Sequence, residues 1–299
     1  MRLDRSVVEE MRVGPGRPAG LSQRGTASTT ARWSASSGAH RKEIAEQDLS
    51  SFVSELQSAQ ELLWASDTYA LLVIVQAMDA AGKDGTIKHV MSGVNPQGCQ
   101  VTSFKQPSAE ELGHDFLWRC AKALPARGAI GIFNRSYYED VLVVRVHPEL
   151  LGPPRAGGSA PPEPIWPHRY EDINAFEHHL HRSGTRIVKL FLHVSKEVQK
   201  KRFLERLDTP AKSWKFSPDD LVDRSYWDQY QQAYEEAITA TSTEWAPWYV
   251  VPADHKYALR ALVGGILVDT IDRLDLRPPE VTPAERATLD KARAQLLAE

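Results

Sequence analysis

The sequence predicts an α/β fold, a mostly parallel five-stranded sheet between helices, on three observations. The run Ala70-Leu71-Leu72-Val73-Ile74-Val75-Gln76 is almost wholly apolar and rich in β-branched residues, as a strand covered on both faces requires. Four more short apolar runs follow, separated by segments of helical periodicity, and strands that alternate with helices imply right-handed crossovers and parallel pairing. The composition, 42% hydrophobic and 25% charged, is that of a chain folding around a core.

Residues 1–44 mix Arg, Gly, Ser, Thr and Pro without periodicity, so they are expected to form a flexible N-terminal extension. A helix begins near Ala45 and carries Leu49, Phe52, Leu56 and Leu63 at three- and four-residue spacing. After the strand at 70–76, further strands are expected at 100–104, 129–133, 186–194 and 248–251, which gives one domain over 45–276. The stretch 151–164, LGPPRAGGSAPPEP, has too much Pro and Gly to be an element and reads as a surface loop or disordered insertion. In the tail, 277–299, Ala284, Leu289, Ala292, Leu296 and Leu297 mark a terminal helix behind the Pro278-Pro279 break.

The net charge of −3 excludes little, because Lys and Arg converging on one groove suffice to hold a polyanion. Cys99 and Cys120 offer neither a disulfide framework nor zinc-site spacing. No apolar run is long enough to span a bilayer or to serve as a signal peptide, and Asp4, Glu9 and Glu10 have the wrong sign for a transit peptide. A cytoplasmic location is expected, with no membrane and no nucleic acid as partner.

In parallel sheets ligands bind at the carboxyl ends of the strands, and the first strand runs directly into Ala77-Met-Asp-Ala-Ala-Gly-Lys-Asp-Gly-Thr86. Ile87, Val90 and Met91 then give a helical apolar face. A strand, loop and helix of this kind aim backbone N–H groups and the positive end of a helix dipole at one spot, with Lys83 as a point charge for a phosphate. The strict pattern G-x-x-x-x-G-K-[ST] is not met: Ala77 replaces the first glycine and Asp84 the hydroxyl. Asp79 or Asp84 could take over the hydroxyl's metal role, and Asp79 is preferred as lying in the loop's concavity. The alternative is that Gly82-Lys83 merely caps a helix; the flanking strand and helix favour the phosphate loop. Gly82, Lys83, Asp84, Gly85, Thr86 and Lys88 are its phosphate-binding candidates.

A second cluster, Asn134-Arg135-Ser136-Tyr137-Tyr138-Glu139-Asp140, ends the third strand beside that loop. Arg135 is placed to contact phosphate, and Asn134 stands where a metal-binding carboxylate is usual. Glu139 and Asp140 read equally as first-turn helix acids or as metal or substrate ligands. A third group supplies Arg202, Arg206, Lys212, Lys215 and Arg224 for a basic lid over the transferring phosphoryl group, about 205–225. Several of these also fit a solvated helical face interleaved with Glu197, Glu205 and Asp208. Trp214 and Phe216 suggest hinge packing rather than base stacking.

Four motifs in order, QAMDAAGKDGTI (76–87), GVNPQG (93–98), FNRSYYEDVLVVR (133–145) and RLDTPAKSWKF (206–216), resemble the polyphosphate kinase 2 family, as does STEWAPWY (242–249). The resemblance covers about residues 45–275. It implies a P-loop kinase fold with a helical lid, dependence on magnesium (or manganese), and phosphoryl transfer from inorganic polyphosphate in a basic channel. The implied acceptors are AMP and ADP, with GMP and GDP as further candidates, and ATP as product. The implied assembly is a homodimer or homotetramer. By motif position Asp79 and Lys83 are the loop's metal and phosphate residues, Arg135 the strand-end arginine and Arg206 a lid arginine. Asn134 with Glu139 resembles the subgroup phosphorylating both mono- and diphosphates, so these two are candidates for acceptor selectivity and, with Asp79, for the metal. Two other classes stay open: an ATP-dependent small-molecule kinase, and a non-catalytic polyanion- or nucleotide-binding module.

Overall fold

The computed structural model describes residues 3–27, 33, 38–151, 164–214 and 216–299. Six strands, β1 (Arg12–Val13), β2 (Ala70–Gln76), β3 (Cys99–Ser103), β4 (Ile130–Asn134), β5 (Thr185–His193) and β6 (Trp248–Pro252), pair in the order β1-β6-β5-β2-β4-β3. β2 through β6 run parallel to one another, and the five expected strands fall within a residue or so of their predicted positions. β2 is buried along its whole length, which is why its sequence is an unbroken apolar run closed by Gln76.

The sixth strand corrects the expectation for the N-terminus. Helix α1 (Arg5–Met11) leads into β1, which pairs antiparallel with β6 through Arg12↔Tyr249 and Val13↔Trp248. Val8, Met11, Val13, Ala19 and Leu21 are buried against the body. Glu235 accepts the N–H groups of Gly20 and Leu21 at 2.8 and 2.7 Å, and the Thr26 hydroxyl donates to Asp254 at 2.7 Å. Trp33 is fully buried and donates its indole N–H to Asp48. Over its described residues, then, the segment is docked. A two-residue strand has no period to detect and takes its conformation from the edge it covers.

The remaining helices are α2 (Gly38–Ser66), α3 (Lys83–Val90), α4 (Ala109–Leu112), α5 (Trp118–Ala121), α6 (Glu139–Val146), α7 (Ile165–Arg182), α8 (Lys196–Leu207), α9 (Pro210–Ser213), α10 (Asp219–Ser225), α11 (Trp227–Thr241), α12 (Lys256–Asp272) and α13 (Pro283–Ala298). α2, α3 and α12 pack together as one group and α6, α7 and α11 as another, enclosing the sheet. α12 carries eleven buried residues, the apolar girth expected of a helix between a sheet and a second helix. The terminal helix α13 forms as expected, capped by reciprocal bonds between Thr282 and Glu285, and buries no residue. The expected insertion at 151–164 lies almost wholly outside the described residues.

From β2 the chain steps out to β3, returns to β4 and then crosses to β5 on the other side of β2. The direction of winding reverses at β2, so a crevice opens above the carboxyl ends of β2, β4 and β5. Among the described residues no helix is long and apolar enough to cross a membrane.

Candidate active site

The loop leaving β2 turns through left-handed conformations at Ala80 (φ 59°) and Gly82 (φ 113°). The second needs glycine, and the first is strain that a well-held loop tolerates. The Thr86 N–H closes the first helical bond onto the Gly82 carbonyl at 2.9 Å. The N–H groups of Lys83, Asp84 and Gly85 therefore belong to the first turn of α3, where no intrahelical acceptor exists. The Lys83 ammonium donates to the Ala77 carbonyl at 2.9 Å and lies 3.9 Å from Asp79 Oδ1. Burial lowers its pKa, and the Asp79 carboxylate opposes that shift.

Arg135, directly after β4, has φ 66° and donates its N–H to the Val75 carbonyl at 3.1 Å, which places it beside the loop. Its guanidinium bridges Asp79 Oδ1 at 3.0 Å and Glu139 Oε2 at 3.1 Å. The Glu139 carboxylate is the main cause holding Arg135 firmly charged. Asn134 Nδ2 donates to Asp84 Oδ1 at 2.8 Å, tying the strand end to the first turn of α3, while Asn134 Oδ1 is buried without a hydrogen-bond partner among the described residues. Asp79, Lys83, Asp84, Asn134, Arg135 and Glu139, chosen from two separate motifs, thus form one constellation.

Other candidates are placed differently. Thr86 is buried with its N–H committed to the helix, so it faces the core rather than a ligand. Lys88 is exposed on α3, beyond the first turn. Arg202, expected on the lid, is buried and donates to four backbone carbonyls: Ala80 and Ala81 at 3.0 and 2.8 Å, Ala253 and Asp254 at 2.7 and 3.0 Å. It is a strut under the loop, with both terminal nitrogens committed to backbone. Arg224 likewise turns inward, to the Lys196 carbonyl and Gln199 Oε1. Arg206 remains at the crevice, ion-paired with Asp220 at 3.3 Å. The Lys212 side chain and Lys215 lie outside the described residues. Phe216 packs edge-on against Phe203, whereas the Trp214 ring is 75% exposed and donates its indole N–H to the Ala211 carbonyl at 3.1 Å.

Two supporting groups were not read from the sequence. Gln199 donates to the Asp79 carbonyl at 3.0 Å, completing the clasp that Arg202 makes on the loop. Beneath the 134–139 turn, Lys189 donates to Glu177 at 2.5 Å and to the Tyr138 hydroxyl at 3.0 Å, and Tyr137 and Tyr138 both donate to Glu177 at 2.9 Å. Burial lowers the Lys189 pKa and raises that of Glu177, and each charge opposes the other's shift. A lysine in the middle of the apolar run of β5 was the available signal.

The family model for polyphosphate kinase 2 matches residues 39–278. The chain is 54% identical over 257 residues to an ADP-polyphosphate phosphotransferase of Rhodopseudomonas palustris, covering 86% of this chain and 89% of that one. It is 46% identical over 250 residues to an AMP/ADP-polyphosphate phosphotransferase of Meiothermus ruber, covering 83% and 90%. The crystal structure of polyphosphate kinase 2 from Arthrobacter aurescens superposes with a TM-score of 0.83 at 42% identity, over 95% of this chain and 96% of that one. A phosphate loop at the sheet's switch point, a strand-end arginine bridging it, and this likeness over nearly the whole fold place the chain in the polyphosphate kinase 2 family, enzymes that transfer phosphoryl groups between polyphosphate and nucleotides.

Proposed function

We propose that this enzyme moves the terminal phosphoryl group of polyphosphate onto both AMP and ADP at one site, reversibly. The observation that carries the reading is the convergence of Lys83, Arg135 and the open first turn of α3 around Asp79. A terminal phosphate oxygen of the acceptor attacks the end phosphorus of polyphosphate. The bond from that phosphorus to its bridging oxygen breaks, leaving a chain one phosphate shorter. The nucleophile is already an anion, so no base is required, and the protein positions the reactants and neutralises charge. Lys83 and the α3 N–H groups stabilise the transferring group, Arg135 an adjacent phosphate, and Arg206 the lid side.

Magnesium fits the donor set. Among the described residues no group of three His, Cys, Asp or Glu side chains could hold a metal alone. That suits an ion held by one or two carboxylates and mostly by substrate phosphates. Asp79 would be its main protein ligand, with Glu139 and the unpartnered Asn134 Oδ1 as further hard oxygen donors; the ion would neutralise charge on the bridging phosphates.

The donor assignment is tested by incubating the protein with magnesium and ADP, with either polyphosphate or a nucleoside triphosphate as phosphoryl source. The reading expects ATP from polyphosphate with shortening of the chain. Transfer only from the triphosphate would return the protein to the ATP-dependent kinases, and no transfer from either would make it a binding module.

A further inference from the structure

We propose that Arg260, on the first turns of α12, binds the donor polyphosphate chain at a phosphate beyond the one held by Lys83. The inference rests on the polyphosphate-donor reading above. α12 packs directly against the loop: a Cβ on Gly82 would lie 3.7 Å from Leu259, and one on Gly85 would lie 3.7 Å from Arg260 Nη2. The guanidinium thus lies over the first turn of α3, whose N–H groups face the phosphates. Glycine at 85 leaves that approach open.

Arg260 is half-buried, yet among the described residues it makes no hydrogen bond or ion pair. The acid that acts on it, Glu46, is exposed on α2 and ion-paired to Lys42 at 3.7 Å. Burial lowers the Arg260 pKa, and its charge in turn lowers that of Arg202. Two guanidiniums are therefore held near each other, one with both terminal nitrogens bonded to backbone carbonyls and the other making no hydrogen bond or ion pair among the described residues. A desolvated cation in that position is stabilised by an anion, and a guanidinium fork matches phosphate oxygens.

The direction of the chain follows from α3. Gly85 and Lys88 are three residues apart and share one helix face. The proposed track runs from Lys83 past Gly85 and Arg260 to Lys88, the exposed cation on the α3 face that carries Gly85. Such a track recognises a linear polyanion longer than the few phosphates that the loop itself covers.

The test is steady-state kinetics of Arg260→Gln and Arg260→Lys with long-chain polyphosphate, tripolyphosphate and ADP varied in turn, with melting temperatures as a check on folding. Losing one charge-assisted contact should raise KM for long-chain polyphosphate about tenfold. KM for ADP should hold, the effect on tripolyphosphate should be smaller, and Lys should recover part of the loss. An unchanged polyphosphate KM in a folded Gln variant overturns the proposal, as does a rise confined to the ADP KM. If wild type makes no ATP from polyphosphate, the donor reading itself fails.

Discussion

The phosphate loop and the lid segment face the same crevice from two sides, and they are built on different principles. The loop is fixed from behind. Gln199 takes the carbonyl of Asp79, Arg202 those of Ala80 and Ala81, and Lys83 that of Ala77, while Ala77, Met78 and Ala81 sit in the core. Arg202 also grips Ala253 and Asp254, and Asp254 is held by Thr26 of the N-terminal segment. The lid segment instead leaves Leu207, Trp214, Leu221 and Val222 exposed, and its polar contacts include Arg206 to Asp220, His147 and Tyr230 to Asp223 at 2.9 and 3.0 Å, and Arg224 to the Lys196 carbonyl and Gln199. On the proposed function, the contrast gives the electrostatic work to the preorganised loop and the substrate-dependent adjustment to the lid segment.

The largest expected effect comes from removing the loop's remote support. Deleting residues 1–27 strips off β1 and the buried Val8, Met11, Val13 and Leu21. At about 1.5–3 kcal/mol per buried side chain, the loss should exceed about 5 kcal/mol. Thermal unfolding checks this; an unchanged melting temperature would mean the segment only rests on the surface.

Next is Lys83→Ala, which should lower kcat by about 10²-fold or more in a folded protein, the scale of losing one preorganised stabilising group. A variant with near wild-type turnover would take the loop out of the chemistry. On the lid side, Arg206→Ala should cost less, about tenfold in kcat, since its ion pair with Asp220 is partly exposed. A loss as large as that of Lys83→Ala would erase the distinction between the two regions. Glu139→Asn removes one of the two carboxylates on Arg135 and should shift the AMP-to-ADP ratio of kcat/KM by a few-fold, about 1 kcal/mol or less. A constant ratio would leave Glu139 as scaffold. Smallest is Trp214→Ala, expected within about 0.5 kcal/mol in stability because the ring is exposed.

What the sequence revealed follows the same division. β2 and the loop were legible because a buried parallel strand demands an unbroken apolar run, and because Gly82-Lys83 after a strand has few structural uses. The capping pair Thr282 and Glu285 and the proline between them make α13 a locally specified helix even though it buries no residue of its own. The N-terminal segment is the reverse: its two-residue strand owes its form to β6, and the turn at Gly20-Leu21 to Glu235, partners more than 200 residues away. Arg202 and Arg224 look like lid cations in the sequence because sequence displays charge but not the acceptor it meets. Here those acceptors are mainly backbone carbonyls, which no residue type reports. Gln199 was invisible for the same reason.

The most direct measurement follows AMP, magnesium and polyphosphate with the purified enzyme over time, with nucleotides resolved by chromatography. One preorganised loop serving both acceptors predicts that ADP appears first and is then converted to ATP by the same protein, with both steps lost in Lys83→Ala. ADP that accumulates without ATP, or a second step that survives Lys83→Ala, would contradict the account.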